Sequence, residues 1–83
     1  LPEEKQALND AAYRSLENAS IGETVFWRDI ETGNHGSFVP TQEFVDKQGR
    51  TCRNLQTQIT VRKQTMTSTA SACRLHDSAW QSV

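Results

Sequence analysis

Two periodicities divide the chain. Over residues 2–19, Leu8, Ala12, Ser15, Leu16 and Ala19 recur at helical spacing within one arc, while Lys5, Gln6, Asp10, Arg14 and Glu17 take the opposite face. Pro2 suits the first helical position, and Glu3 and Glu4 sit where the helix dipole favours negative charge. The stripe is narrow and made mostly of small residues. Such a helix has too little apolar surface to stand alone in water, so it must pack on something. Asn18-Ala19-Ser20-Ile21-Gly22 ends it. Beyond Gly22 the pattern turns to Thr, Val, Phe, Trp and Ile. Residues 24–30, 37–45, 50–61 and 65–75 read as strands, with a short fifth strand at 80–83.

The separators are turn-rich: Thr32-Gly33-Asn34-His35-Gly36, Asp46-Lys47-Gln48-Gly49, Arg62-Lys63-Gln64 and His76-Asp77-Ser78. Gly33, Gly36 and Asp77 are therefore read as turn residues, and Gly49 as the left-handed position of a short loop. Pro40, inside the second strand, marks an edge or a bulge. Short connections between consecutive strands imply an antiparallel meander. Leu55, Ile59 and Val61 alternate on one face of the third strand and are expected to contact the helix, leaving the other face wet. The predicted fold is a two-layer α+β domain, one helix (about 2–19) on a four- or five-stranded antiparallel sheet (about 22–83).

The chain contains two cysteines, each followed by arginine, at Cys52-Arg53 and Cys73-Arg74. If the third and fourth strands turn about Arg62-Lys63, Cys52 lies directly opposite Cys73, within disulfide reach. A turn centred one position later makes them miss. A disulfide locates the protein in an oxidising compartment, whereas two free buried thiols would fit the cytosol. Size favours the bridge: 83 residues make a single domain (1–83), and 35% hydrophobic content leaves a thin core.

Charge and composition exclude several classes. Net charge is -1 and the cations are scattered, so nothing tracks a phosphate backbone and no nucleic acid is expected. No apolar run approaches a membrane span. The chain opens at Leu1-Pro2-Glu3 without a methionine, as a mature fragment would. Any secretion signal, lipid anchor or membrane segment is expected upstream, and the fragment itself is expected to be soluble.

Candidate chemistry is sparse. His76 beside Asp77 could suggest acid–base work, but adjacent turn residues rarely converge on one atom. His35 lies in a Gly/Asn-rich loop. There is no Cys-x-x-Cys, no zinc-type spacing and no glycine-rich phosphate loop. The reading is accordingly no enzyme, no cofactor and no metal. Arg53 and Arg74 fall as diagonal neighbours on the face opposite the cysteines. Either they pair with Glu43, Asp29 or Asp77, or they form, with Trp80, a patch for an anion or partner. Trp27 is expected to fill core volume. Trp80 could close the sheet or stand exposed as a binding hot spot. The polar Thr/Gln hairpin could also offer an edge strand to a partner.

The order Gly22, Trp27, Thr32-Gly33, Gly36, Pro40, Cys52-Arg53, Ala72-Cys73-Arg74, Asp77 and Trp80 resembles the C-terminal domain of the rickettsial 17-kDa surface antigen family, outer-membrane lipoproteins of Gram-negative bacteria. Ser71 and Asp77-Ser78 stand where that family often has Gly and Asp-Gly. The resemblance implies an envelope location, with a lipidated cysteine and a glycine-rich, membrane-associating segment preceding the domain. It implies no enzymatic activity. The expected role is structural or interactive, toward another envelope protein or a host-surface partner. The alternative is a periplasmic inhibitor or a module binding a small anionic ligand. Oligomeric state is not read from the sequence.

Overall fold

A computed structural model describes residues 2–83. Helix α1 (Pro2–Glu17) is followed by β1 (Val25–Arg28), β2 (His35–Val45), β3 (Thr51–Val61), β4 (Gln64–Arg74) and β5 (Gln81–Ser82). The strands form one antiparallel sheet in the order β1-β2-β3-β4-β5. One helix on a five-stranded meander is the α+β architecture the patterning predicts.

The helix is held by one face. Ala11, Ser15, Leu16 and Ala19 are buried, and Ala7, Leu8 and Ala12 pack half-buried beside them. Against this stripe lie Val25 and Trp27 from β1, Phe38 from β2, Leu55 from β3 and Ala72 from β4. Ala11, fully buried, is the centre of the contact and is absent from the stripe read off the sequence. The stripe read from spacing was centred on Ala12, which is only half-buried; the helix is turned so that its neighbour Ala11 faces the sheet. Buried Ser15 donates to Ala12 O at 2.7 Å, so its hydroxyl is satisfied within the helix. The helix stops two residues short of the expected end. Asn18 N and Ala19 N both donate to Arg14 O at 3.0 Å, and Gly22 then adopts φ 90°.

β1 is shorter than predicted because Asp29 begins the turn rather than continuing the strand. Gly33 N donates to Asp29 O, and Asp29 N to Asn34 O, both at 2.8 Å. β2 in consequence starts at His35, so Gly36 lies in the strand rather than in a turn. Gly49 takes the left-handed φ of 79° expected of it, and Gly33, read as a turn residue, is left-handed too at φ 77°. Pro40 is buried at a register break between Pro40 and Gln42, the bulge that proline signalled. The β3–β4 connection is a two-residue loop, Arg62 (φ 52°) and Lys63 (φ 68°), and it sets Cys52 opposite Cys73. β4 therefore starts at Gln64, one residue early.

The molecule measures 41 × 21 × 20 Å. Its length follows β2, β3 and β4, each of 11 residues. Leu55 is in the core and Ile59 packs against it, but Val61 is 37% exposed and does not reach the helix as expected. Residues 61–70 are exposed throughout.

Two substitutions test this account. A Cβ on Gly36 would overlap the Gln58 carbonyl oxygen and come within 2.7 Å of Trp27 Nε1. Gly36→Ala is expected to destabilise by about 1–3 kcal/mol in urea melts. Replacing Arg62-Lys63 by Asn-Gly removes the cost of two left-handed side-chain-bearing residues and should stabilise by about 1 kcal/mol in the same assay.

Candidate functional site

Three features of the fold carry chemistry: the disulfide, a polar bracket at the helix C-terminus, and a groove along the β1–β2 hairpin. Cys52 and Cys73 are bonded, with Cα atoms 4.0 Å apart and a sequence separation of 21. Val83 N donates to Ser71 O, so odd-numbered residues of β4 turn their main-chain groups away from β3. Cys52 and Cys73 are thus a non-hydrogen-bonded pair, where facing strands approach most closely. The sulfurs lie on the sheet face opposite the helix, yet both residues are buried. Phe44 pairs with Cys52 across the sheet, and the β2–β3 turn lies close by. That turn is organised by Asp46, which accepts from Gln48 N, Arg50 N and Arg50 Nε at 2.8–3.0 Å. Donation from Arg50, backbone first and side chain next, holds the Asp46 carboxyl below its ordinary range. The Asp46 carboxylate and both sulfurs lie within 4.8 Å of one another, but sulfurs locked in a disulfide are not thiolate ligands for a metal.

The bracket consists of Arg53, Arg74, Trp80 and a residue the sequence placed on the outer helix face, Glu17. Arg53 Nη1 donates to Ser15 O at 2.9 Å and Ala19 O at 2.6 Å, and Nε donates to Glu43 at 2.8 Å. It caps carbonyls left without partners at the end of α1 and meets the negative end of the helix dipole. Arg74 Nη1 lies 3.0 and 2.7 Å from the two Glu17 carboxylate oxygens. Its guanidinium also stacks over Trp80, 4.9 Å from the ring centroid. Trp80 Nε1 completes the triangle by donating to Glu17 Oε2 at 2.8 Å. Of the expected internal partners, Glu43 is used, and neither Asp29 nor Asp77 pairs with either guanidinium among the described residues. The residues named as a candidate anion or partner patch are therefore occupied from within, by a carboxylate each and by helix carbonyls. Glu17 was missed because its partners, fifty-seven and sixty-three residues away, leave no mark on local spacing.

The histidines do not meet. His35 opens β2 at the end of the sheet near Thr60, and His76 lies past Cys73 at the other end. Both are exposed. Asp77 is exposed, and the turn it occupies is tied by Ser78, whose hydroxyl accepts from Leu75 N and donates to Leu75 O at 2.6 Å. His76, not Asp77, takes the left-handed φ of 54° there.

The groove has a volume of about 620 Å³ and is lined by residues of β1 and the β1–β2 turn, Phe26, Trp27, Arg28, Asp29, Ile30 and Gly33, and by His35 and Gly36 of β2. Phe26 is 72% exposed and Ile30 85%. Trp27, expected in the core, is there with its indole against Gly36, and its Nε1 and Asp29 Oδ2 are buried without partners. The alternation Val25, Trp27, Asp29 inward and Phe26, Arg28, Ile30 outward was the available signal for these exposed apolar side chains.

A family profile described as 17 kDa outer membrane surface antigen matches residues 14–81. The chain is similar to the 17 kDa surface antigen of Rickettsia prowazekii, 28% identical over 98% of this chain and 51% of that protein. It is also similar to the protein of the same name from Rickettsia bellii, 33% identical over 84% of this chain and 44% of the relative, and from Rickettsia felis, 31% identical over the same shares. The chain thus spans about half the length of the curated relatives it matches. No solved structure matches it significantly.

The bracket has a pH signature. The Trp80 indole N–H, followed by Arg74, holds the Glu17 carboxyl below its ordinary value of 4.5. A carboxyl lowered on folding contributes stability that is complete above its unfolded value and is lost as pH falls through its folded value. Thermal stability should therefore fall as pH drops below about 4.5, with the Trp80 Nε1–H proton resonance shifting over the same range. Glu17→Gln should be less stable at neutral pH and show a shallower acid limb in melts across pH 3–7.

Proposed function

The chain belongs to the 17 kDa outer membrane surface antigen family, and we propose that it is the folded, envelope-exposed part of such an antigen, acting through its surface rather than by catalysis. The observation that carries this reading is the buried Cys52–Cys73 bridge. A cross-link of this kind persists where thiols are kept oxidised, outside the cytosol, and the relatives' names point to the same place.

A surface role is also supported by what the molecule does with its reactive residues. Its cysteines are bonded to each other, its histidines stand apart, and Arg53 and Arg74 are consumed in fastening the helix to the sheet. Phe26 and Ile30, the most exposed of its large apolar side chains, stand outward at the groove. Such side chains suit contact with another protein, in this proposal an envelope component or a host-surface protein. The occupied guanidiniums weigh against the alternative of an inhibitor or anion-binding module. No helix among the described residues is long and apolar enough to cross a membrane. Attachment to the outer membrane, in this proposal, comes from a lipidated, glycine-rich segment elsewhere in the full-length protein.

Thiol trapping of the full-length protein in its native envelope tests the premise. Alkylation under denaturing conditions without reductant should label neither Cys52 nor Cys73, and labelling of both would overturn the proposed location. In the purified chain, replacing both cysteines by alanine should cost about 3 kcal/mol in denaturant melts, from the entropy of the loop the bridge closes.

A further inference from the structure

Two polar side chains in the groove wall are left incomplete by the fold. Asp29 is 8% exposed and Trp27 6%. Asp29 Oδ1 accepts from Glu31 N at 2.9 Å, while Asp29 Oδ2 and the Trp27 Nε1 proton have no partner among the described residues. A buried carboxylate oxygen and a buried indole N–H without partners are costly, the carboxylate most of all. Both are held in place. The Asp29 main chain is bonded twice, its N to Asn34 O and its O from Gly33 N, both at 2.8 Å. The Trp27 indole lies in the space that a Cβ on Gly36 would fill. The β1–β2 loop is tied to the helix in turn, since Glu4 accepts from Thr32 Oγ1 at 3.0 Å and from Asn34 Nδ2 at 2.7 Å. The groove is thus held in shape before anything enters it.

We propose that this groove binds the free amino terminus of a partner protein whose first residue is apolar. The α-ammonium donates to Asp29 Oδ2, the first carbonyl oxygen accepts from Trp27 Nε1, and the first side chain lies against Phe26 and Ile30. Each part of that ligand answers a part of the groove. An unpaired carboxylate calls for a cationic donor, which makes a shorter and stronger bond than a neutral one. The indole N–H calls for an acceptor close to that cation, and an α-amino group carries a carbonyl two bonds away. Phe26 and Ile30 supply exposed apolar surface in the same lining. At about 620 Å³ the groove has room for one residue and the start of the next, within the usual range of small-ligand sites.

Other occupants answer fewer of these groups. A carboxylate or phosphate ligand meets the Asp29 charge. A purely apolar side chain leaves both polar atoms unpaired. A lysine or arginine side chain suits Asp29 but brings no acceptor for Trp27. An internal peptide segment brings main-chain donors and acceptors but no positive charge. Capture of a chain's terminal amine is a known mode of peptide recognition. Such binding rests on the groove being a contact for another protein, and it specifies which part of that protein enters. Thiol trapping reports where the chain resides and peptide binding reports what the groove holds, so the two fail separately.

NMR titration of the chain with Leu-Gly-Gly amide, up to about 10 mM, is read at the two indole N–H protons. The Trp27 resonance should move downfield and saturate with a dissociation constant of about 1 mM or below, while that of Trp80, already bonded to Glu17, stays in place. N-acetyl-Leu-Gly-Gly amide, which has no ammonium, and Gly-Gly-Gly amide, which has no apolar side chain, should each bind about tenfold more weakly or worse. Asp29→Asn keeps the acceptor for Glu31 N and removes the charge. It should weaken Leu-Gly-Gly amide about tenfold or more, yet leave the melting temperature of the free chain unchanged or raised, because an unpaired buried charge is gone. The peptide should raise the melting temperature of the parent chain and not that of Asp29→Asn. A Trp27 resonance unmoved at about 10 mM peptide overturns the proposal and assigns both atoms to buried water. Equal binding of the free and acetylated peptides overturns it too, as does an Asp29→Asn chain that melts lower and binds as before, which makes Asp29 a residue of the fold alone.

Discussion

A helix whose buried stripe is mostly alanine and serine cannot hold to a sheet by apolar area alone. Ala11, Ser15 and Ala19 together offer a fraction of what leucines would at about 25 cal/mol per Å². The remainder comes from the sheet side. Arg53 reaches across to the last carbonyls of α1, and Arg74 and Trp80 hold Glu17 from β4 and the approach to β5. Hydrogen bonds of this charged kind are worth about 1.5–3 kcal/mol where they are shielded from water. Arg53, with only 12% of its side chain exposed, meets that condition best. The guanidiniums are thus engaged in fastening the helix, which weighs against the anion-binding reading.

The bracket and the disulfide stand on opposite faces of the same end of the sheet. Cys52 and Arg53 are neighbours on β3, as Cys73 and Arg74 are on β4, so alternation sends each cysteine to one face and each arginine to the other. One pair cross-links the strands and the other fastens the helix. The repeated Cys-Arg dipeptide thus serves both layers of the domain from a single register. At the far end the tie is uncharged on the sheet side: Glu4 accepts from Thr32 Oγ1 and Asn34 Nδ2 at 3.0 and 2.7 Å. Along β3 the hairpin still buries Leu55 and Thr57 on the helix side, while residues 61–70 of the loop and β4 are exposed and rich in threonine, serine and glutamine.

Much of the fold was legible because its signals are local. The 3.6-residue and two-residue periodicities, the proline at the bulge, and the glycines at Gly33 and Gly49 each report on residues within a few positions of themselves. The disulfide was legible for a related reason: in a hairpin, loop length fixes register, and Arg62-Lys63 at the midpoint brings 52 opposite 73 by arithmetic. Gly36 was misplaced because glycine signals a turn and a close approach equally well; only the indole of Trp27 lying over it distinguishes them.

The chain's own order of residues determined the helix, the five strands, their meander, the facing cysteines and the family to which the protein belongs. Each of these depends on spacing along the backbone, which a sequence records directly. Tertiary structure alone decided that Ala11 is the centre of the helix contact, that Glu17 answers Arg74 and Trp80, and that Ser78 rather than Asp77 ties the last turn. Those outcomes depend on distances between segments far apart in the chain, set by the length of the hairpin and the angle at which a small-faced helix settles on it. No periodicity encodes them.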